Sequence, residues 1–470
     1  MAANYPDVLN RAMEAFESQN FPAYLIGPRA RDLAQDLPIV DAGSFDLTVD
    51  ASLSNIEDIM LNTFHVPPQE AKEDRPKILT FKMPRVEGGT ETWTFNIGPF
   101  RNYLPPLRSL RGQNLSGIIL DLATREVTLQ AFGYDSHGNL IDPFGGSQDF
   151  QEHLVRPIFP VESIFRESAS WLLKVARYVA RYGFDAAREV RVAAERDASN
   201  ILDAPRDIWL REMEKILCGP HCPKGLQFMA DTRILSFLLP EVANLISFSE
   251  GSGGRHKDVW EHTKQVVANS DATPVVRWAA LCHDIGKVWT RQVFRDEKVH
   301  FFRHEDMSSL LFEGICARFQ MPNELATRVQ YIIKNHSRIN LYREDWTDSA
   351  VRRLIKEVGD HLDDMISFSK ADLTSKRAER VEMVRSLLTD LQIRILEVRE
   401  ADAAQNPLPK GIGNIIIERF KIEPGPEVGR LRGMLLEALE AGTLAANADV
   451  STCLDFLVAH GAVGTESAED

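Results

Sequence analysis

Five side chains of metal-ligand type, His262, the adjacent pair His283 and Asp284, His336 and Asp372, stand on separate apolar stretches in the middle of this sequence. Leu281-Cys282-His283-Asp284-Ile285-Gly286-Lys287 ends an apolar run in two polar groups, and such a pair inside a core needs a partner there. A helical bundle that folds these stretches together brings imidazoles and carboxylates around one cation. Successive helical residues are turned by about 100°, so His283 and Asp284 both reach one ion only if both lie near the inward face. A mixed imidazole and carboxylate shell suits a divalent transition metal, Mn, Fe, Co, Ni or Zn, better than calcium.

With 470 residues and 44% hydrophobic side chains the chain can build more than one core, and roughly three domains follow at about 150 residues each. No run reaches the roughly 18 apolar residues that span a bilayer, and Asp7, Arg11, Glu14 and Glu17 interrupt the first stretch, which excludes a signal-peptide core. The expectation is a cytoplasmic protein with no membrane partner. A net charge of -14 argues against broad phosphate-driven binding, DNA included, and leaves room for a local basic face. The five cysteines are dispersed and odd in number, as expected of reduced thiols; Cys218 and Cys222 lack the second ligand pair of a zinc site.

Residues 1–150 read as α+β, a mixed sheet with helices. A helix over Val8–Ser18 precedes strand-like Tyr24-Leu25-Ile26, a helix from Ala30, and strands at Phe45–Val49, Lys77–Phe81, Glu91–Ile97 and Val127–Ala131. Ser136-His137-Gly138-Asn139 reads as a turn, and Leu140–Gly146 as a structural loop. Beyond 151 the pattern is helical: a neck over 151–250 with two or three helices between 163 and 217, a metal-type domain over 251–376 after the break Glu250–Gly254, and a helical tail over 377–470 jointed at Pro407-Leu408-Pro409 and Pro424-Gly425-Pro426. Glu466, Glu469 and Asp470 read as a disordered acidic tail. His65, His137, His153, His221, His256, His300, His361 and His460 read as ordinary core or surface residues.

Several stretches in this order resemble the class II tRNA nucleotidyltransferases, the CCA-adding and bacterial poly(A) polymerase superfamily, followed by an HD phosphohydrolase domain. They are Tyr24-Leu25-Ile26-Gly27 through Arg31-Asp32-Leu33, Phe45-Asp46-Leu47-Thr48-Val49, Leu140–Gly146, Ala176–Phe184 and Ile422–Pro426. The resemblance implies a nucleotidyltransferase-like head, then an all-α neck, HD domain and tail.

In that family two carboxylates one residue apart on a strand share magnesium ions that carry the triphosphate. Here Asp46 holds the second position and Ser44 the first, while Asp50 lies roughly 13 Å further along the strand. Gly27 is followed by Pro28, which has no N–H for a phosphate. The double-Arg-Asp stretch reads Thr124-Arg125-Glu126-Val127-Thr128, and in the base-template motif Ser168 and Trp171 replace the Asp and one Arg, leaving Lys174. The expectation is therefore an eroded nucleotide and magnesium site, Gly27, Arg31, Asp32, Ser44, Asp46 and Arg125, with Mg bound only if the head is active.

The HD pattern, by contrast, is complete, with His262, His283, Asp284, His336 and Asp372 as ligands and Lys287 and His304 beside them. The expected function is an HD-type metal-dependent phosphohydrolase acting on a nucleotide or RNA end, with catalytic His283, Asp284, Lys287 and His304. The rivals are an active CCA-adding or poly(A) nucleotidyltransferase using ATP or CTP, and a non-catalytic RNA-binding scaffold. Lys174, Arg177, Arg181 and Arg188 fall near one helical stripe, either a solvated face or an RNA contact, tRNA included.

Overall fold

The computed structural model describes residues 5–39, 43–69, 78–85, 92–102, 115–246, 248, 258–295, 299–374, 378–405, 408–445 and 448–460. Lys77, Glu91, Glu250–Gly254, His256, Pro407, Glu466, Glu469 and Asp470 lie outside these residues. The chain forms two compact units, Met1–Ile339 with Asp363–Lys376, and Asn340–Leu362 with Arg377–Asp470.

The first unit begins with a six-stranded sheet. Its strands β1 (Ala23–Ile26), β2 (Ser44–Val49), β3 (Leu79–Pro84), β4 (Thr92–Pro99), β5 (Gly133–Tyr134) and β6 (Leu140–Ile141) lie in the order β3-β4-β2-β1-β5-β6. β2 and β4 pair parallel, with Asp46 beside Asn96, and the other neighbours pair antiparallel. Alternation along β2 sends Phe45, Leu47 and Val49 into a core shared with Phe16 of the helix Asp7–Glu17 and Ile56 of the helix Leu53–Phe64. Ser44 and Asp46 point the other way and stay half-buried.

Three expectations change here. The run Val127–Ala131 is not a strand: Thr128–Gln130 forms a 3-10 turn, and Val127 makes only an isolated bridge to Pro157. The helix expected from Ala30 starts at Gly27, because Pro28 fits a first turn that needs no N–H. Between 163 and 217 four helices form rather than two or three: Val161–Glu167, Trp171–Tyr182, Arg188–Arg196 and Arg206–Leu217.

The rest of the first unit is mostly helical. Asp258 and Thr273 cap the helices Val259–Asn269 and Pro274–Cys282 by accepting from Glu261 N and Val276 N. A two-stranded hairpin, Arg291–Val293 with Val299–Phe301, interrupts this otherwise helical region. Then follow the helices His304–Phe319, Asn323–Asn335 and Leu362–Ala371. In the second unit the helix Asp348–Val358 packs on the helix Ala378–Gln405, and Leu431 and Leu435 anchor a separate core of three shorter helices. Among the described residues no helix is long and apolar enough to cross a membrane.

Candidate metal centre and nucleotide site

All the expected metal ligands come together from the ends or inner faces of four elements, and His304 joins them from a fifth. His262 sits inside the helix Val259–Asn269, His283 and Asp284 at the end of Pro274–Cys282, His304 at the start of His304–Phe319, His336 at the end of Asn323–Asn335, and Asp372 just past Leu362–Ala371. His262 Nε2 lies 3.1 Å from Asp372 Oδ1 and 3.6 Å from Asp284 Oδ2, and His283 Nε2 lies 3.0 Å from Asp284 Oδ2. Asp284 is also 3.6 Å from His304 Nε2 and accepts from Lys287 Nζ at 2.8 Å. It therefore belongs to two ligand groups, one with His262 and His283 and one with His304 and His336.

The outer ring nitrogens are already engaged. Nδ1 of His283, His336 and His304 faces the carbonyls of Ala280, Ile333 and Phe301 at 2.9, 2.8 and 3.0 Å, so these rings donate outward and turn their Nε2 lone pairs inward. His262 Nδ1 lies 2.6 Å from Thr374 Oγ1. At the centre, His283 Nε2 and Asp284 Oδ1 are buried without a hydrogen-bond partner among the described residues. Two orphaned polar atoms at the focus of four imidazoles are what a cation would satisfy, so the donor set fits a divalent transition metal.

The charges at Asp284, His262 and His336 agree with that reading. Burial opposes ionisation of Asp284, yet the His283 and Lys287 charges hold its carboxyl well below the usual range. Burial lowers His262 and His336, keeping both neutral as ligands should be. His283 moves up instead: burial works against its cationic form, and the Asp284 charge outweighs it.

In the head, Asp46 and Ser44 share the face of β2 away from the core. Asn96 Nδ2 donates to Asp46 Oδ1 at 2.9 Å and is itself held by Thr80 Oγ1 at 3.0 Å. The other carboxylate oxygen faces Gly27, where a Cβ would lie 2.6 Å from Asp46 Oδ2. Gly27 also takes φ +73°, a left-handed conformation that favours glycine. The carboxylate thus lies against the first turn of the helix Gly27–Ala34 with one oxygen fixed by Asn96 and the other beside Gly27. Mg usually needs one or two carboxylates, with waters and substrate phosphates completing its shell, so this single carboxylate fits it.

The remaining head residues are dispersed around Asp46. Arg29 Nε donates to the Ser44 carbonyl at 3.3 Å and its Nη1 pairs with Asp32 at 2.6 Å, while the Arg31 guanidinium lies 5.4 Å over the Tyr182 ring. Arg125 is clamped on buried Asp121, with contacts of 3.1 and 2.7 Å.

The basic stripe divides. Lys174 Nζ and Arg177 Nη2 donate to the two Glu126 oxygens at 2.7 and 2.6 Å, and Arg177 Nε lies 2.7 Å from Glu212. These two cations are therefore neutralised within the protein, whereas Arg181 and Arg188 are exposed. Trp171 is buried against Phe159, with Lys174 Nζ 4.7 Å over its ring. Sequence reasoning did not place Asn96, Thr80, Thr374 or Glu126 in these sites. The parallel pairing of β2 with β4 puts Asn96 beside Asp46, and no local spacing announces it.

Residues 23–156 match the poly A polymerase head domain, 183–246 the "Probable RNA and SrmB- binding site of polymerase A", and 259–372 the HD domain. The chain is 26% identical to the A-adding tRNA nucleotidyltransferase of Deinococcus radiodurans, over 68% of this chain and 75% of that protein. It is 27% identical to the CCA-adding enzyme of Geobacillus thermodenitrificans, over 59% and 63%. Across seven of the curated relatives it matches, the chain spans 50 to 75% of their length. A solved CCA-adding enzyme in an apo form shares the fold, with a TM-score of 0.51 at 18% identity over 97% of this chain and 96% of that one. These similarities correct the expectation of a phosphohydrolase with an inert head, because the relatives are named for nucleotide addition to tRNA. The physical reason is visible at Asp46: losing one carboxylate removes one magnesium ligand, which water and phosphate oxygens can replace.

Proposed function

We infer the activity from one premise: the chain belongs to the superfamily of bacterial poly(A) polymerases and class II tRNA nucleotidyltransferases that carry an HD domain. On that premise it is a nucleotidyltransferase that adds nucleotides from ATP or CTP to the 3′ end of a tRNA. The observation that carries this reading is the Asp46 carboxylate, anchored by Asn96 and opened by Gly27. In the reaction the terminal hydroxyl of the RNA attacks the α-phosphorus and gives up its proton to water, the bond from that phosphorus to the bridging oxygen breaks, and pyrophosphate leaves with the displaced electron pair. Asp46 would hold Mg, which supplies charge stabilisation on the phosphoryl oxygens when bound. The first turn at Gly27 brings backbone close to the same place, and Asn96 keeps Asp46 oriented. Exposed Arg181 and Arg188 contact the RNA backbone, while Lys174 and Arg177, held on Glu126, fix the neck helix against the head. A chain acting on tRNA in this way works in the cytoplasm.

Divalent metal use accompanies both modules of this family. His262, His283, Asp284, His336 and Asp372 would hold a transition metal, Mn, Fe, Co, Ni or Zn, with Lys287 and His304 at its rim. The decisive experiment incubates the chain with Mg, labelled ATP or CTP, and tRNA lacking its 3′ end. Incorporation is expected, and Asp46→Asn should lower it by on the order of a hundredfold, the scale of a lost electrostatic group in a transition state. No incorporation of either nucleotide by the parent chain would refute the reading.

A further inference from the structure

The hairpin Arg291–Val293 with Val299–Phe301 carries a bare aromatic face that the proposed transfer reaction does not use. Its register sets Phe301 opposite Arg291 and His300 opposite Gln292. Alternation turns Phe301 inward, where its ring meets Phe248 at 6.3 Å and lies under Lys287 Nζ at 5.6 Å. The other face shows Phe294, His300 and Phe302. His300 and Phe302 stack at 5.2 Å with their planes 4° apart, and Phe294 stands edge-on to both at 5.3 and 6.2 Å. Phe294 and Phe302 remain 46% and 56% exposed, and neighbouring Trp289 47%.

Two observations say what covers this face. The chain is acidic, at -14, yet the stretch 288–304 reverses that sign, with Arg291, Arg295, Lys298 and Arg303 against Asp296 and Glu297, Arg303 also pairing with Asp306 at 2.8 Å. Exposed, parallel-stacked rings inside a basic segment match unpaired nucleobases with their phosphates, because every base has a π-face and every linkage a negative charge. The same hairpin also bears on the metal cluster: the Phe301 carbonyl faces His304 Nδ1 at 3.0 Å, one residue past Arg303.

We propose that this hairpin is a stacking platform for single-stranded RNA, holding one or two unpaired bases on Phe294, His300 and Phe302 with the backbone along the arginines. The proposal does not depend on nucleotide addition, since it concerns binding without ATP or CTP.

The test uses the full chain and a short fluorescent oligoadenylate RNA, with binding measured by anisotropy in the absence of nucleotide. The double variant Phe294→Ala with Phe302→Ala should weaken binding by about tenfold or more, the scale of a lost base stack. Phe302→Trp should bind at least as well as the parent, and Arg295→Glu should reduce the salt dependence of binding. A 4-thiouridine in the probe should crosslink to the hairpin peptide in the parent. Unchanged affinity in the folded double alanine variant, together with a crosslink mapping elsewhere, overturns the proposal. So does a parent chain that self-associates through this face, with the double variant monomeric and RNA binding unaltered. Loss of oligonucleotide binding with tRNA extension intact supports the platform.

Discussion

At the scale of single residues, two positions carry more than their size suggests. Gly27 combines a left-handed φ with an approach to Asp46 too close for any Cβ. Gly27→Ala should therefore cost about 1 kcal/mol in backbone strain and also displace the carboxylate. Nucleotide incorporation should fall at least tenfold while tRNA affinity, measured by filter binding, stays near the parent value. Glu126 is the second. Burial raises its pKa, but Lys174, Arg177 and the Tyr178 hydroxyl outweigh that and bring it from 4.5 to about 2. A carboxyl with a depressed pKa stabilises the fold above its unfolded value and loses that contribution as pH falls from about 4.5 towards 2. With its side chain 29% exposed, Glu126 contributes on the order of 2 kcal/mol at neutral pH. Glu126→Gln should lower the denaturant midpoint at pH 7, and the gap to the parent should narrow steadily from pH 4.5 to pH 3.

At the scale of elements, the gathering of the candidate metal ligands was legible in the sequence and the hairpin was not. His283 and Asp284 end an apolar helix, and a polar pair in that setting has few explanations besides a ligand. What no spacing shows is that His283, His336 and His304 would be locked from behind by the carbonyls of Ala280, Ile333 and Phe301. Arg291–Val293 and Val299–Phe301 are three residues each, below the length at which period-two alternation separates from noise. Val127–Ala131 failed in the opposite way, since a β-branched run became a 3-10 turn once Thr128 was committed to buried Asp149. Because the candidate ligands together with His304 lie on five elements, a bound cation would stabilise their packing by mass action, about 2.7 kcal/mol at a hundredfold excess over its dissociation constant. Dialysis against a chelator should lower the melting temperature, re-addition of Mn or Zn should restore it, and His336→Ala should abolish both shifts. If elemental analysis finds equal transition metal in the parent and His336→Ala, the ligand assignment is wrong.

At the scale of the whole molecule, the chain leaves the first unit after Ile339, contributes Asn340–Leu362 to the second, returns for Asp363–Lys376, and leaves again. In the second unit Arg352 pairs with Asp402 at 2.7 Å and Arg394 with Asp348 at 2.7 Å, joining the excursion to the long helix of the tail. A chain ended after residue 376 keeps every metal ligand but strips the cover from Val351, Leu354 and Val358. It should bind metal in the parent's stoichiometry and aggregate at lower temperature, readable by elemental analysis and light scattering. The same route fixes an order of events during synthesis. Four histidines and Asp284 emerge from the ribosome before residue 340, while Asp372 arrives only after a length of chain bound for another unit has passed, so a nascent polypeptide holds a ring of candidate ligands that stays open until Asp372 is made.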